Sequence, residues 1–419
     1  MGASYGTTGG AVNAFPPPPR VVSRKESGTA PGGTGSLIPE PPDRLRGASE
    51  DVGGGRPAVP RFRPDLEAIP TYDPGRPLDE VARQLGLDSI ANLASNESPV
   101  EPLPEVMAAI ATAAARVNRY PSTDARELVR ALAGLYDVDP EFVWVAPGST
   151  ALLTSVALAA TGPGTSVVFA DPSFVMYRMA TAIAGATPLP VPLDPQWRLD
   201  TDAMIAAVRD DTNVIYYCNP NNPTGTHNPY SDVERLIDSA PDRVTIVIDE
   251  AYGEYVTAPD WSSAIPLAVR DDNVLVSRTF SKVYGLAGER VGYAVGHPSL
   301  LRALSRPQPP YAVSTLAQVA AVEALRHQDR IAQRVRDTVA GREWIAAHLR
   351  QLGQFAIDSQ TNFVLWRPAT SSSAAADALL PRGTMVRAIG PWVRITVGTP
   401  EENERCLAGI EAAIGAGLI

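Results

Sequence analysis

Val244-Thr245-Ile246-Val247-Ile248-Asp249-Glu250-Ala251-Tyr252 is the stretch that decides the fold. An apolar run ends on a carboxylate. Such a run reads as a strand buried on both faces of a parallel sheet, with the aspartate at its C-terminal end, where ligands bind in open α/β sheets. A strand-end aspartate can equally be a helix N-cap, so alone it leaves its own role open.

Working outward, similar runs recur at Val143-Trp144-Val145, Ser166-Val167-Val168-Phe169, Val214-Ile215-Tyr216-Tyr217 and Val274-Leu275-Val276. Apolar residues at helical spacing lie between them, beginning with the segment from Leu103 to Val117. This alternation predicts an α/β fold, with a large lobe built on a mostly parallel central sheet covered by helices. After Arg306-Pro307-Gln308-Pro309-Pro310 the pattern changes to long helices over residues 314–327 and 331–352. Strands follow at Phe363-Val364-Leu365-Trp366 and from Trp392 to Val397. With a helix-like segment over 77–87 and a short strand at Ile90-Ala91-Asn92-Leu93-Ala94, these predict a smaller α+β lobe. The expected division is residues 61–95 and 306–419 in the small lobe and 96–305 in the large one. Residues 1–60, with Pro16-Pro17-Pro18-Pro19 and Gly53-Gly54-Gly55, read as a disordered extension.

Bulk properties exclude several classes. The 419 residues carry a formal charge of -10, against the basic stripe that a nucleic-acid binder needs. Cys218 and Cys406 have no CxxC spacing, and the four histidines are scattered, so no metal site is expected. No apolar run reaches membrane-spanning length, and no basic segment followed by an apolar one opens the chain. A cytoplasmic protein is the expectation.

Chemistry concentrates at four places. Ser277-Arg278-Thr279-Phe280-Ser281-Lys282 is followed eight residues later by Arg290. An amine with hydroxyls before it and a guanidinium after it suits lysine-bound pyridoxal phosphate. The amine forms a Schiff base with the aldehyde, while Thr279, Ser281 and Arg290 neutralise the phosphate. Asp249 at its strand end can hold the pyridine nitrogen protonated, and Tyr252 can reach the cofactor's 3-oxygen. Asn219-Pro220-Asn221-Asn222-Pro223-Thr224-Gly225 forms a turn presenting Asn222 to the same oxygen. Ala146-Pro147-Gly148-Ser149-Thr150 opens a helical run after a strand, which makes an anion site of its first N–H groups. Further on, Arg387 and Arg394 form a pair of guanidiniums suited to an anionic group of the substrate, with Arg394 and Thr396 on the opposite strand face from the valines and Ile395.

From about Arg61 onward the chain resembles the fold-type-I pyridoxal-phosphate aminotransferases, specifically the histidinol-phosphate aminotransferase family with its aromatic aminotransferase relatives. The resemblance rests on Tyr72-Asp73-Pro74-Gly75, Leu93-Ala94-Ser95-Asn96-Glu97-Ser98-Pro99, Arg119-Tyr120-Pro121 and the segments 218–225, 248–252, 279–290 and 393–399. It implies that Lys282 binds the cofactor and shuttles the proton. It also implies Asp249 on the pyridine nitrogen, Asn222 and Tyr252 on the 3-oxygen, and Phe174 stacked on the ring. Ser149, Thr150, Ser281 and Arg290 would hold the phosphate, joined by Tyr120 from a neighbouring subunit, hence a homodimer with shared sites. Arg387 and Arg394 would grip the substrate's acidic end, with Tyr72 and Asn96 beside it.

The implied reaction moves an amino group between a small-molecule donor and a 2-oxo acceptor. Glutamate/2-oxoglutarate paired with histidinol phosphate/imidazole acetol phosphate is the leading expectation, and an aromatic amino acid is the alternative. Three departures bear on it: Thr150 and Ser122 stand where the family usually has acidic residues, and Ala388-Ile389-Gly390-Pro391-Trp392 is short and apolar. A phosphothreonine-type decarboxylase shares most of these motifs. A cofactor-binding regulator would need a DNA-binding module that the N-terminal segment lacks.

Overall fold

The computed structural model describes residues 77–419, with Arg63 and Ile69 ahead of them. The extension expected over residues 1–60 and the candidate residue Tyr72 lie outside the described residues.

Strand β1 (Ala91–Leu93) belongs to a smaller sheet. The next seven build the larger one: β2 (Val143–Ala146), β3 (Ser166–Asp171), β4 (Thr187–Pro192), β5 (Thr212–Cys218), β6 (Thr245–Asp249), β7 (Val274–Thr279) and β8 (Gly292–Gly296), in the order β2-β8-β7-β6-β5-β3-β4. Neighbours from β7 through β4 are parallel, whereas β8 runs antiparallel to both β2 and β7. Successive side chains enter opposite cores. Ile246, Ile248, Val274 and Val276 pack with Leu128, Leu236 and Ala321 from helices Arg126–Tyr136, Tyr230–Ser239 and Thr315–Leu325. Val247 and Leu275 pack on the other face with Leu152 and Val156 of helix Ser149–Ala160. Burial on both faces is why these strands read as unbroken apolar runs.

Two strands of this sheet were not legible as strands. β4 carries Pro188, Pro190 and Pro192, which argue against a central strand. Among the described residues it is the edge, paired only with β3. The prolines alternate with buried Leu189 and Val191, so their missing N–H groups fall on the same, open side. β8 starts and ends on glycine, and Gly292 admits nothing larger: a Cβ there would lie 2.7 Å from the Ser149 nitrogen and 3.0 Å from the Arg278 carbonyl oxygen.

The smaller sheet adds β9 (Phe355–Ile357), β10 (Phe363–Arg367), β11 (Thr384–Ile389) and β12 (Trp392–Thr396), ordered β1-β11-β12-β10-β9. β1 is parallel to β11 and the remaining pairs are antiparallel. Ile345, Leu349, Leu379 and Ile410 from the surrounding helices seal its core. Helix Pro400–Gly415 starts with a capping box between Thr399 and Glu402. Helix Thr315–Leu325, grouped by sequence with the small lobe, instead buries Ala317, Ala320 and Ala324 under the larger sheet. Both sheets belong to one compact unit.

Candidate active site

A cavity of about 710 Å³ opens between the C-terminal ends of β5, β6 and β7 and the small sheet. Ser149, Thr150, Phe174, Asn222, Asp249, Tyr252, Thr279, Ser281, Lys282 and Arg290 line it, as do Asn96, Arg387 and Arg394. Tyr120 does not. Its ring is 82% exposed and stacks on Tyr311 with centroids 4.6 Å apart.

At the anion end, Gly148 takes φ 86°, which turns β2 into helix Ser149–Ala160 and aims the helix's first N–H groups at the cavity. Glycine is required on a second ground. A Cβ here would sit 2.7 Å from Arg290 Nη2, so the guanidinium lies directly over the helix start. Arg290 Nη1 donates to the Ala287 carbonyl at 2.9 Å and reaches Ser281 Oγ at 3.5 Å. Backbone amides, hydroxyls and one guanidinium thus converge at one end of the cavity, a donor set suited to a phosphate.

Asp249 lies at the opposite end, buried at the tip of β6. Its Oδ2 accepts from the Tyr177 hydroxyl at 2.8 Å and its Oδ1 from the Ala251 N–H at 3.2 Å. Burial outweighs both donors and pushes the carboxyl up to about 6. Arg278 of β7 pairs with Glu250, the residue after β6, at 2.6 Å, and continued alternation puts that pair on the other face of the sheet from Asp249. The pair ties together the two strand ends that carry Asp249 and lead into Lys282.

A chain of hydrogen bonds fixes the polar groups between these ends. The Asn96 N–H donates to Thr396 Oγ1 at 3.0 Å, and that hydroxyl donates to Asn96 Oδ1 at 3.1 Å. With its oxygen so engaged, Asn96 turns Nδ2 to the Tyr252 hydroxyl at 2.9 Å. The phenol accepts there and keeps its own proton for donation into the cavity. Burial raises it to about 12, so it stays protonated at neutral pH. Asn222 is set the same way: its Oδ1 accepts from Arg394 Nη1 at 2.7 Å, leaving Nδ2 as the donor. The loop that holds Asn222 is closed by the Gly225 N–H to Asn221 O bond at 2.8 Å and by Ser173 Oγ donating to Asn221 Oδ1 at 2.7 Å.

Lys282 follows β7 and stands over the Tyr252 ring, with Nζ 5.7 Å from the centroid. Burial first, then the charge of Arg394, pulls the amine down to about 7, against the opposing pull of Glu97 and Asp249. Such an amine is partly neutral near pH 7 and able to attack a carbonyl. Arg394 Nη2 also donates to the Ala94 carbonyl at 2.8 Å, so its guanidinium joins the Asn222 loop to the segment after β1. Arg387 is its register partner across the β11–β12 hairpin, which turns on Gly390 and Pro391 and carries Ala388 and Ile389 into the cavity wall.

Sequence reasoning missed Tyr177, Glu97 and Cys218. Glu97 and Cys218 line the cavity, and Glu97 accepts from Asn92 Nδ2 at 2.9 Å. Tyr177 had a usable signal, because it stands three residues after Phe174 near the start of a helix, on the same side. Among the described residues no helix is long and apolar enough to cross a membrane, and no cluster of three or more metal-ligating side chains occurs.

Comparison with known proteins agrees with this geometry. The family model described as aminotransferase class I and II matches residues 88–410. An aromatic amino acid aminotransferase of Thermobifida fusca is 42% identical over 350 residues, covering 83% of this chain and 96% of its own. A histidinol-phosphate aminotransferase of Halalkalibacterium halodurans is 36% identical over 355 residues, covering 84% and 96%. Among solved structures, the histidinol-phosphate aminotransferase from Sinorhizobium meliloti in complex with pyridoxal-5'-phosphate superposes with a TM-score of 0.79 at 28% identity, covering 86% of this chain and 99% of that one. The cradle at Gly148, the buried carboxylate, the two fixed donors and the depressed lysine fit that cofactor. The chain belongs to the class I and II aminotransferases and is a pyridoxal-phosphate-dependent transaminase.

Proposed function

We propose that the chain is an aromatic amino acid aminotransferase, exchanging amino groups between phenylalanine or tyrosine and a 2-oxo acid such as 2-oxoglutarate. The observation that carries this reading is the β11–β12 hairpin. Its two-residue turn puts Ala388 and Ile389 in the substrate wall, beside Arg387 and Arg394. An apolar wall beside a guanidinium that can take a carboxylate suits an aromatic side chain and its α-carboxylate, with the second guanidinium adding positive charge. The aromatic aminotransferases among the relatives, at 39–42% identity, point the same way.

Bound pyridoxal phosphate supplies an electron sink that stabilises negative charge at the substrate's α-carbon. Lys282 holds the cofactor and then moves the proton from that carbon. Asp249 keeps a positive charge on the ring nitrogen. Asn222 Nδ2 and the Tyr252 hydroxyl would donate to the cofactor's 3-oxygen, and Phe174 would cover one face of the ring. Ser149, Thr150, Thr279, Ser281 and Arg290 bind the phosphate, with Thr279 setting the loop by accepting from the Ser281 N–H at 3.1 Å. Arg394 takes the α-carboxylate, Arg387 is its companion cation, and Asn96 holds Tyr252 from the substrate side. The active form is a homodimer in which Tyr120 of the partner subunit completes the phosphate site.

Steady-state kinetics with phenylalanine, tyrosine and histidinol phosphate as amino donors test the substrate. A kcat/KM for phenylalanine at least about tenfold above that for histidinol phosphate, or about 1.4 kcal/mol of transition-state preference, is the expected result. The reverse order returns the chain to the phosphate-bearing substrate.

A further inference from the structure

Tyr177 lies in helix Met176–Ala184, fully buried, and its hydroxyl meets Asp249 Oδ2 at 2.8 Å. Its ring cannot swing away. One face stacks on Tyr216 with centroids 4.8 Å apart and planes 13° apart, and Phe174 meets it edge-on at 5.8 Å. Burial holds the phenol far above its ordinary range, so it is a donor at every pH the protein meets. Other titratable groups also act on this carboxylate: Tyr216 and Cys218 from β5, Glu250 and Tyr252 after β6, and Lys282 across the cavity. They give it no hydrogen bond. The Tyr216 hydroxyl donates to the Leu153 carbonyl at 2.9 Å and the Cys218 thiol to the Pro220 carbonyl at 3.4 Å. Tyr177 and the Ala251 amide are therefore the donors that oppose the cost of burying this charge.

We propose that Tyr177 is a positioning residue that keeps Asp249 ionised and aimed at the ring nitrogen of bound pyridoxal phosphate. The proposal rests on the role given to Asp249 above. Without the phenol the carboxylate loses a side-chain donor to its charged form and takes up a proton at higher pH. A neutral carboxyl holds a protonated ring nitrogen weakly, so the cofactor is bound less tightly and its own titration moves. Phenylalanine preserves both ring contacts and removes only the hydroxyl.

The test is a cycle of Tyr177→Phe, Asp249→Ala and the double variant, each compared as holoprotein with wild type. The readouts are the pyridoxal phosphate dissociation constant and the pH titration of the bound cofactor's absorbance, with near-ultraviolet circular dichroism to report packing. Tyr177→Phe is expected to weaken the cofactor roughly tenfold and move the acid limb of the titration to higher pH, with the dichroism unchanged. In the Asp249→Ala background the same substitution should change neither quantity. An equal loss in both backgrounds marks Tyr177 as packing and overturns the proposal. So does a Tyr177→Phe protein indistinguishable from wild type while Asp249→Ala loses the cofactor, and that outcome leaves the role of Asp249 standing. Normal cofactor binding and titration by Asp249→Ala overturn both readings together.

Discussion

Lys282 combines two demands that oppose each other in water, where a lysine amine is charged and a charged amine does not attack an aldehyde. Burial resolves the conflict by moving the amine to about 7. Because the shift is downward from 10.5, the neutral form prevails above pH 7 and the charged form below it. Capture of pyridoxal phosphate by the apoprotein, followed by absorbance in stopped flow, should be nearly flat above pH 7. Below that it should slow by roughly tenfold per pH unit. A flat profile down to pH 5 would remove the depressed amine from the account. Lys282, Asp249 and Asn222 were legible in the sequence because each sits at a strand end or in a turn beside one, and the chain itself spells out that position. For Tyr177 only its place beside Phe174 was legible; its partner Asp249 lies 72 residues away, and the packing of helix Met176–Ala184 on the sheet brings them together.

Among the elements, the junction between β2 and helix Ser149–Ala160 has little freedom. Gly148 combines φ 86° with the Arg290 guanidinium where a side chain would stand, so Gly148→Ala meets backbone strain and displaces the group proposed to bind the phosphate at once. Weakened retention of pyridoxal phosphate on dialysis is expected, with an apoprotein destabilised by about 1–3 kcal/mol in urea. Unchanged retention would detach Arg290 from the phosphate site. Sequence periodicity identified β2, β3, β5, β6 and β7 because two-sided burial leaves an unbroken apolar signal. It failed for β4, whose prolines only a sheet edge tolerates, and for β8, whose Gly292 answers to the Ser149 backbone rather than to strand propensity. The grouping of helix Thr315–Leu325 with the C-terminal lobe failed for another reason. Its alanines fit either core, and helical spacing says nothing about which sheet a helix covers.

On the scale of the whole molecule, the family was legible from motifs and their order, while the substrate was not. The motifs are those proposed to hold the cofactor, and a cofactor site is indifferent to the amine it serves. Residues from both sheets and from several loops must meet before the substrate wall exists. Tyr120 fits this scale too, being exposed beside Tyr311 and outside the cavity of its own chain. If the dimer proposed above is the active form, light scattering should give the mass of two chains. Mixing inactive Lys282→Ala with a cofactor-weak Tyr120→Ala variant should then restore activity that neither has alone. A monomer that remains fully active on dilution would end that reading. The β11–β12 hairpin carries one more consequence. Ala388 and Gly390 are exposed and Ile389 half-buried, while Arg394 is anchored through Asn222 and Ala94 on other segments. Substitutions at Ala388 and Ile389 therefore cost the fold little and leave Asn222 and Arg394 where they are, whereas Gly390 is held to glycine by its φ of 53°. If the tip contacts the substrate as proposed, exchanging Ala388 or Ile389 changes the preferred amine and leaves Lys282 and Asp249 in place.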